Sequence, residues 1–425
     1  MPMSPKGRPR GRIRPGAFSA KGSPVSASIA DEINRWIVRA SLDGADEVSI
    51  LDGACNRLVA AGIPLLRAAL ASDMLDPSFD SLGVRWTRDK GAVHETFLRT
   101  ADAATDEAWL TSPFHVLVRG PGERLRRRLD APGPAAEFPV LDEFRQRGGT
   151  DYVAMIARLG EAMWLGETRG VVASWLTDAP TGFDDASIDL LAEVLPALST
   201  VFLWRSMQRS ARALMTTYLG SDAAERVLAG NVVRGRAECI RAVVWYSDLV
   251  GFTRIADEHR SQVVLAMLND YAEAQVETIE AHGGHVLKFI GDGLLAIFPG
   301  GDDANACERA LDAAEEARRR LDALNDKRRA AGLPVSDAHV ALHIGELLYG
   351  NVGSPRRLDF TVLGAAVNEA ARIEALCGSL DQRVIVSSAF AQAAGDAARS
   401  RLVSLGRYAM KGVARPQELY TLDPG

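Results

Sequence analysis

Disulfide and zinc frameworks are missing from this 425-residue chain. Its four cysteines (Cys55, Cys239, Cys307, Cys377) are scattered and form no CxxC pair. They read as reduced, small apolar residues of a cytoplasmic protein. Positive charge is not in excess either. The formal net charge is −6 and the isoelectric point about 5.8, without the basic field that nucleic-acid binders carry. No uninterrupted apolar run approaches the roughly 20 residues that span a bilayer. The opening stretch, MPMSPKGRPRGRIRPGAFSAKGSPVSA, lacks the apolar centre of a signal peptide. Residues 1–29 therefore read as a disordered basic tail. What remains is a soluble composition, 47% hydrophobic and 24% charged, in a chain too long for one ordinary core. Two domains are expected.

Helical periodicity begins near Ala30. Ile33, Trp36, Ile37 and Ala40 share a face, and a second run from Val48 stops at Gly62 with Pro64 beyond. Strand-like pieces follow around Trp86, Val116 and Val172. TGFDDASIDLLAEVLPAL then opens a helix capped by Asp184 or Asp185. Residues 30–187 are expected to form a small α+β regulatory domain, and SWLTDAPTGFDDASIDLLAEVLPAL loosely resembles the end of a GAF domain. Leu191, Leu195, Leu198 and Phe202 alternate by four and three, the spacing of a heptad seam with Pro196 inside it. That spacing suits either a helix packed on its own domain or a connecting helix, over 188–236, that pairs with a second copy. Two arginine runs, Arg126–Leu129 and the one near Arg318, read as wet helical faces. AHGGH at His282 and His285 reads as a turn.

From residue 237 the order is strand, long helix, hairpin, helix, strand, with further strands and a helix after it. This is the pattern of a ferredoxin-like α+β sandwich, a βαββαβ core with additions. Inside the hairpin, KFIGDGLLAIF places Asp292 between Gly291 and Gly293. Taken alone, Asp-Gly between apolar runs is a turn whose acid faces water. A second acid changes that reading. Asp248 ends the first strand in YSDLVGFT, and the topology sets that strand beside the hairpin. Two carboxylates at neighbouring strand ends can hold two divalent cations about 4 Å apart, and magnesium suits such sparse ligation. Backbone N–H groups at the turn and helix start after Asp248 suit a polyphosphate.

These strings, with LHIGELLYGNVGSPRRLDFTVLG and AAVNEAARIE in order and spacing, resemble the catalytic domain of class III nucleotidyl cyclases. The resemblance covers about Arg241 to Leu422. It implies that Asp248 and Asp292, with Leu249 between them and the turn, hold two Mg²⁺ or Mn²⁺ ions per site. It implies that Gly251, Phe252 and Thr253 receive phosphates and that Lys288 and Thr361 read the purine. Asn368 would orient the ribose, Arg372 would stabilise the transition state, and Lys411 would contact the terminal phosphates. A lysine at 288 can donate to adenine N1 but opposes the N1–H of guanine, so ATP is the implied substrate and cyclic AMP with pyrophosphate the product. The family's site lies between two catalytic domains. One catalytic domain per chain (237–425) thus implies a homodimer controlled by its N-terminal region. A guanylate or relaxed cyclase is the nearest alternative, and a silent cyclase-like binding module the more distant one. Ala365 and Glu369 depart from the family's usual residues, Asp and an apolar side chain.

Overall fold

In the computed structural model, residues 24–73, 79–98, 107–130, 137–160, 169–410 and 416–423 are described. The chain divides into two compact units, residues 1–214 and 215–425.

In the first unit α1 (Pro24–Leu42) and α2 (Glu47–Ala60) precede β1 (Leu65–Asp73), β2 (Phe79–Thr87) and β3 (Gly91–Leu98). Then come α3 (Glu107–Leu110), α4 (Pro113–Arg119), β4 (Arg124–Arg128), α5 (Pro139–Gln146), β5 (Asp151–Arg158), β6 (Gly170–Thr177) and the long α6 (Asp185–Leu219). The six strands form an antiparallel sheet in the order β3-β2-β1-β6-β5-β4. Trp86 and Trp175 flank Ala68 in one cross-strand row and enter a core that also takes Ile33 and Ile37 of α1 and Leu51 and Leu58 of α2.

Two expectations are corrected here, and one left open is decided. The stretch around Val116 is a helix, because Ser112 accepts a hydrogen bond from the His115 N–H at 3.1 Å and Pro113 sits in the first turn. Cap and proline together outweigh the β-branched composition. Arg126–Arg128 lies in β4 and not on a helix. Arg126 donates to the fully buried Asp151 at 2.7 Å, so this arginine neutralises an interior acid. The heptad seam Leu191, Leu195, Leu198 and Phe202 is buried in the first unit's own core. It is occupied before any second copy arrives, so a dimer contact along α6 has to use other positions. By length and composition α6 could also cross a membrane, but more than half of its most apolar window is buried, as in a core helix.

In the second unit α7 (Ser221–Leu228) leads into β7 (Ala237–Leu249), α8 (Phe252–Glu258), α9 (Ser261–Ala281), β8 (His285–Ile290), β9 (Gly293–Pro299), α10 (Asp303–Ala330) and β10 (Ala338–Ser354). They are followed by β11 (Arg357–Leu363), α11 (Ala365–Glu374), α12 (Cys377–Leu380), β12 (Val384–Ser387), α13 (Ser388–Ala393), α14 (Asp396–Arg399), β13 (Leu402–Tyr408) and β14 (Gln417–Leu422). The eight-stranded sheet runs β13-β14-β12-β10-β7-β9-β8, with β11 paired to β10. Its centre, β10-β7-β9-β8, is the strand order of a βαββαβ core, as the sequence predicts. The β7–β10 pairing is unbroken from Leu249↔Ala338 to Ala237↔Gly350. Residues of α9 and α10 fill one face with Trp245 and Phe298, while Ala366 and Ala370 of α11 cover the other against Val244 and Leu295. The long helix is α9, and the short α8 is set off from it because His259 is extended between them.

Candidate active site

Asp248 stands one residue from the end of β7, and Asp292 stands in the two-residue turn joining β8 to β9. The registers Ser247↔Leu294 and Ile290↔Gly293 bring that turn against the strand end. The Leu249 N–H donates to Asp292 Oδ2 at 3.3 Å. The glycines on both sides of Asp292 are needed. Gly291 has φ +63°, and a Cβ on Gly293 would lie 2.0 Å from the Ser247 carbonyl oxygen and 3.0 Å from Asp248 Oδ1. Asp292 is therefore no wet turn residue. Its neighbours are stripped of side chain so that it can approach β7.

A third carboxylate belongs to this cluster, and it has no place among the residues the sequence reading singles out for the site. Glu374, the last residue of α11, has its nearest basic neighbour at His339 Nδ1, 3.8 Å away, and His339 is the cross-strand partner of Asp248. Burial, followed by repulsion from Asp248 and Asp292, pushes the Glu374 carboxyl up to about 7. Burial and the Asp292 carboxylate likewise raise Asp248 to about 6. Burial pulls His339 down, so it supplies little positive charge at neutral pH. No lysine or arginine pairs with any of these three acids among the described residues. The only signal in the sequence is an acid two residues beyond Arg372.

Asn368 and Arg372 sit four apart on one face of α11, while Glu374 is roughly 200° round from Arg372 at 3.6 residues per turn. The helix thus turns Glu374 toward its own chain's aspartates and Asn368 with Arg372 elsewhere. Asn368 is exposed and Arg372 half-buried. Neither side chain has a hydrogen bond or ion pair among the described residues, so Arg372 pairs with neither Glu369 nor Glu374. Glu369 has partners of its own, buried His343 at 3.7 Å and the Gln417 amide. They explain how an acid replaces an apolar residue at this position.

Lys288 on β8 donates to Asp359 Oδ2 on β11 at 3.1 Å. Thr361, two residues along β11, is 4% exposed, and its hydroxyl has no partner among the described residues. Gly251 takes φ +66° as it opens α8, with Phe252 and Thr253 in the first turn. Leu249 is buried at the end of β7. Lys411 lies outside the described residues.

Residues 236–424 match the family model of the adenylate and guanylate cyclase catalytic domain. They belong to that family. Adenylate cyclase 1 of Rhizobium meliloti is 26% identical over 412 residues, covering 92% of this chain and 60% of that protein. The adenylate cyclase of Anabaena cylindrica is 33% identical over 161 residues, 37% of this chain and 31% of that protein. The chain therefore spans less than two thirds of either relative. The crystal structure of the adenylyl cyclase CyaB from P. aeruginosa aligns with 45% of this chain and 97% of its own at 22% identity, with a TM-score of 0.41. The family match begins at residue 236, so the GAF-like reading of the first unit is not established by it.

Proposed function

We propose that the cyclase domain converts ATP to 3′,5′-cyclic AMP and pyrophosphate at a site completed by a second copy of the chain. The observation that carries this reading is the approach of Asp292 to Asp248, enforced by Gly293. Crowded carboxylates without a counter-cation fit a hard divalent ion, and Asp248 and Asp292 would hold it. Mg²⁺ or Mn²⁺ held there would complete its sphere with phosphate oxygens and water. Bound there, such ions supply charge for the triphosphate and acidify the 3′-hydroxyl.

The chain's own groups do the rest. The free N–H groups of Phe252 and Thr253 face phosphate oxygens. Lys288 donates to adenine N1, and the unpartnered Thr361 hydroxyl accepts from the adenine amino group. Asn368 orients the ribose so that its 3′-oxygen lines up with the α-phosphorus and the bond to pyrophosphate. As the new P–O bond forms, the hydroxyl proton is released and the pyrophosphate oxygen leaves. Arg372 donates to the α-phosphate oxygens as their charge grows.

Because α11 turns Asn368 and Arg372 away from the acids of the same chain, the reading requires two chains that exchange these residues. The first unit then regulates by changing how the two cyclase domains meet. The test is product formation by the purified full chain with ATP or GTP, in Mg²⁺ and in Mn²⁺, beside Asp292→Asn. Cyclic AMP from ATP, lost in the variant, is expected. Cyclic GMP formed from GTP at equal efficiency would overturn the substrate assignment, and product unaffected by Asp292→Asn would overturn the site.

A further inference from the structure

Strands β8 and β11 lie on opposite sides of the β10-β7-β9 centre of the sheet. Their contact through Lys288 and Asp359 means that the coiled β10–β11 hairpin curls back toward β8. Leu287, Phe360 and Val362 are buried together on one side of these strands. Asp359 and Thr361 therefore share the other side of β11, since successive side chains alternate there, and Lys288 reaches Asp359 from beside the bulge that interrupts β8 between Val286 and Lys288. The ion pair thus stands beside the orphaned hydroxyl of Thr361.

A lysine head group rides on a flexible four-carbon stem and has three rotatable donors. Unaided, it can donate to adenine N1 or swing to guanine O6. Held by a carboxylate at 3.1 Å, it keeps one direction. The carboxylate is engaged as well, and so is not free to accept the guanine N1–H that would otherwise favour GTP.

We propose that Asp359 is a positioning residue for Lys288, fixing its ammonium beside Thr361, and that this pair sets the preference for adenine over guanine. The inference rests on the purine-reading role given to Lys288 above. The pair is partly exposed, with 37% of the lysine and 55% of the aspartate side chain accessible. Its loss is therefore expected to change affinity by about two- to fivefold rather than to abolish binding.

The experiment uses the full chain as wild type, Asp359→Asn, Asp359→Glu, Lys288→Met and the Lys288→Met/Asp359→Asn double variant. Each is titrated calorimetrically with α,β-methylene-ATP and α,β-methylene-GTP in Mn²⁺, and its Tm is recorded. Asp359→Asn is expected to weaken the ATP analogue about two- to fivefold, leave the GTP analogue unchanged or tighter, and have no further effect once Lys288 is Met. Asp359→Glu keeps most of the preference. The inference is overturned if Asp359→Asn weakens both analogues equally with a fall in Tm, which marks a clasp that only holds the hairpin. It is also overturned if the substitution acts equally in both backgrounds. If Lys288→Met shifts the preference and Asp359→Asn does not, this inference alone falls. If Lys288→Met leaves the preference unchanged, or if wild type binds neither analogue, the purine-reading assignment falls with it.

Discussion

At the scale of single residues, the site is an acid cluster that folding has made uncomfortable. Asp248 and Glu374 hold protons more tightly in the folded chain than in the unfolded one, with values near 6 and 7 against the ordinary 3.8 and 4.5. A carboxyl raised on folding contributes stability that is fully present below its unfolded value and lost as pH rises through its folded value. The metal-free protein should therefore lose Tm between about pH 5 and pH 8. A divalent ion that neutralises the cluster should restore Tm more at about pH 8 than at about pH 5. Differential scanning fluorimetry with and without Mn²⁺ checks this. Equal gains at both pH values would contradict the cluster's role, and Asp248→Asn should flatten the metal-free slope. Asp248 and Asp292 were legible in the sequence because each ends an apolar run. Glu374 was not, since its relation to them depends on which way a helix is rotated.

At the scale of elements, the β8–β9 hairpin and α11 hold the residues of the proposed site, and both are placed by small residues. The hairpin can touch β7 only because position 293 has no Cβ. Gly293→Ala should force the turn off Ser247, costing about 1–3 kcal/mol in unfolding free energy and weakening Mn²⁺ binding along with it. Denaturant melts and metal titration together check the prediction. A variant of normal stability and normal metal affinity would show that the close approach is dispensable. In the same way Gly345 lets α11 approach β10, for its Cβ would meet the Ala366 Cβ at 2.7 Å. Short, mostly apolar runs bounded by turn residues made β8, β9 and β12 readable in advance. The stretch around Val116 misled because apolar β-branched residues suit a strand or a buried helix equally, and there the cap decided. Arg126–Arg128 misled for a related reason. A run of arginines reads as a wet surface unless a buried partner such as Asp151 is known, and that partner is 25 residues away from Arg126.

At the scale of the whole molecule, the division of labour between two copies is open to a mixing experiment. Asp292→Asn and Arg372→Ala chains should each be inactive on their own. Mixed in equal amounts and allowed to exchange, they should recover about a quarter of wild-type turnover, since half the dimers are mixed and each mixed dimer has one intact site. No recovery despite exchange, followed by labelled subunits, would mean that the acids and the Asn368–Arg372 pair serve one site within a single chain.

What the sequence determined by itself was local and chemical: the order of elements, the acids at strand ends, the glycines that free a turn, and Asn368 and Arg372 on one helical face. Such features depend on residues within a few positions of one another, where backbone geometry follows from side-chain type. The tertiary structure alone decided three further matters. It buried the α6 seam in the first unit's own core, rotated α11 so that Glu374 and Arg372 face apart, and coiled a hairpin until Asp359 met Lys288. Each of these joins residues far apart in the chain, and such contacts are settled by how helices and strands compete to bury their apolar faces.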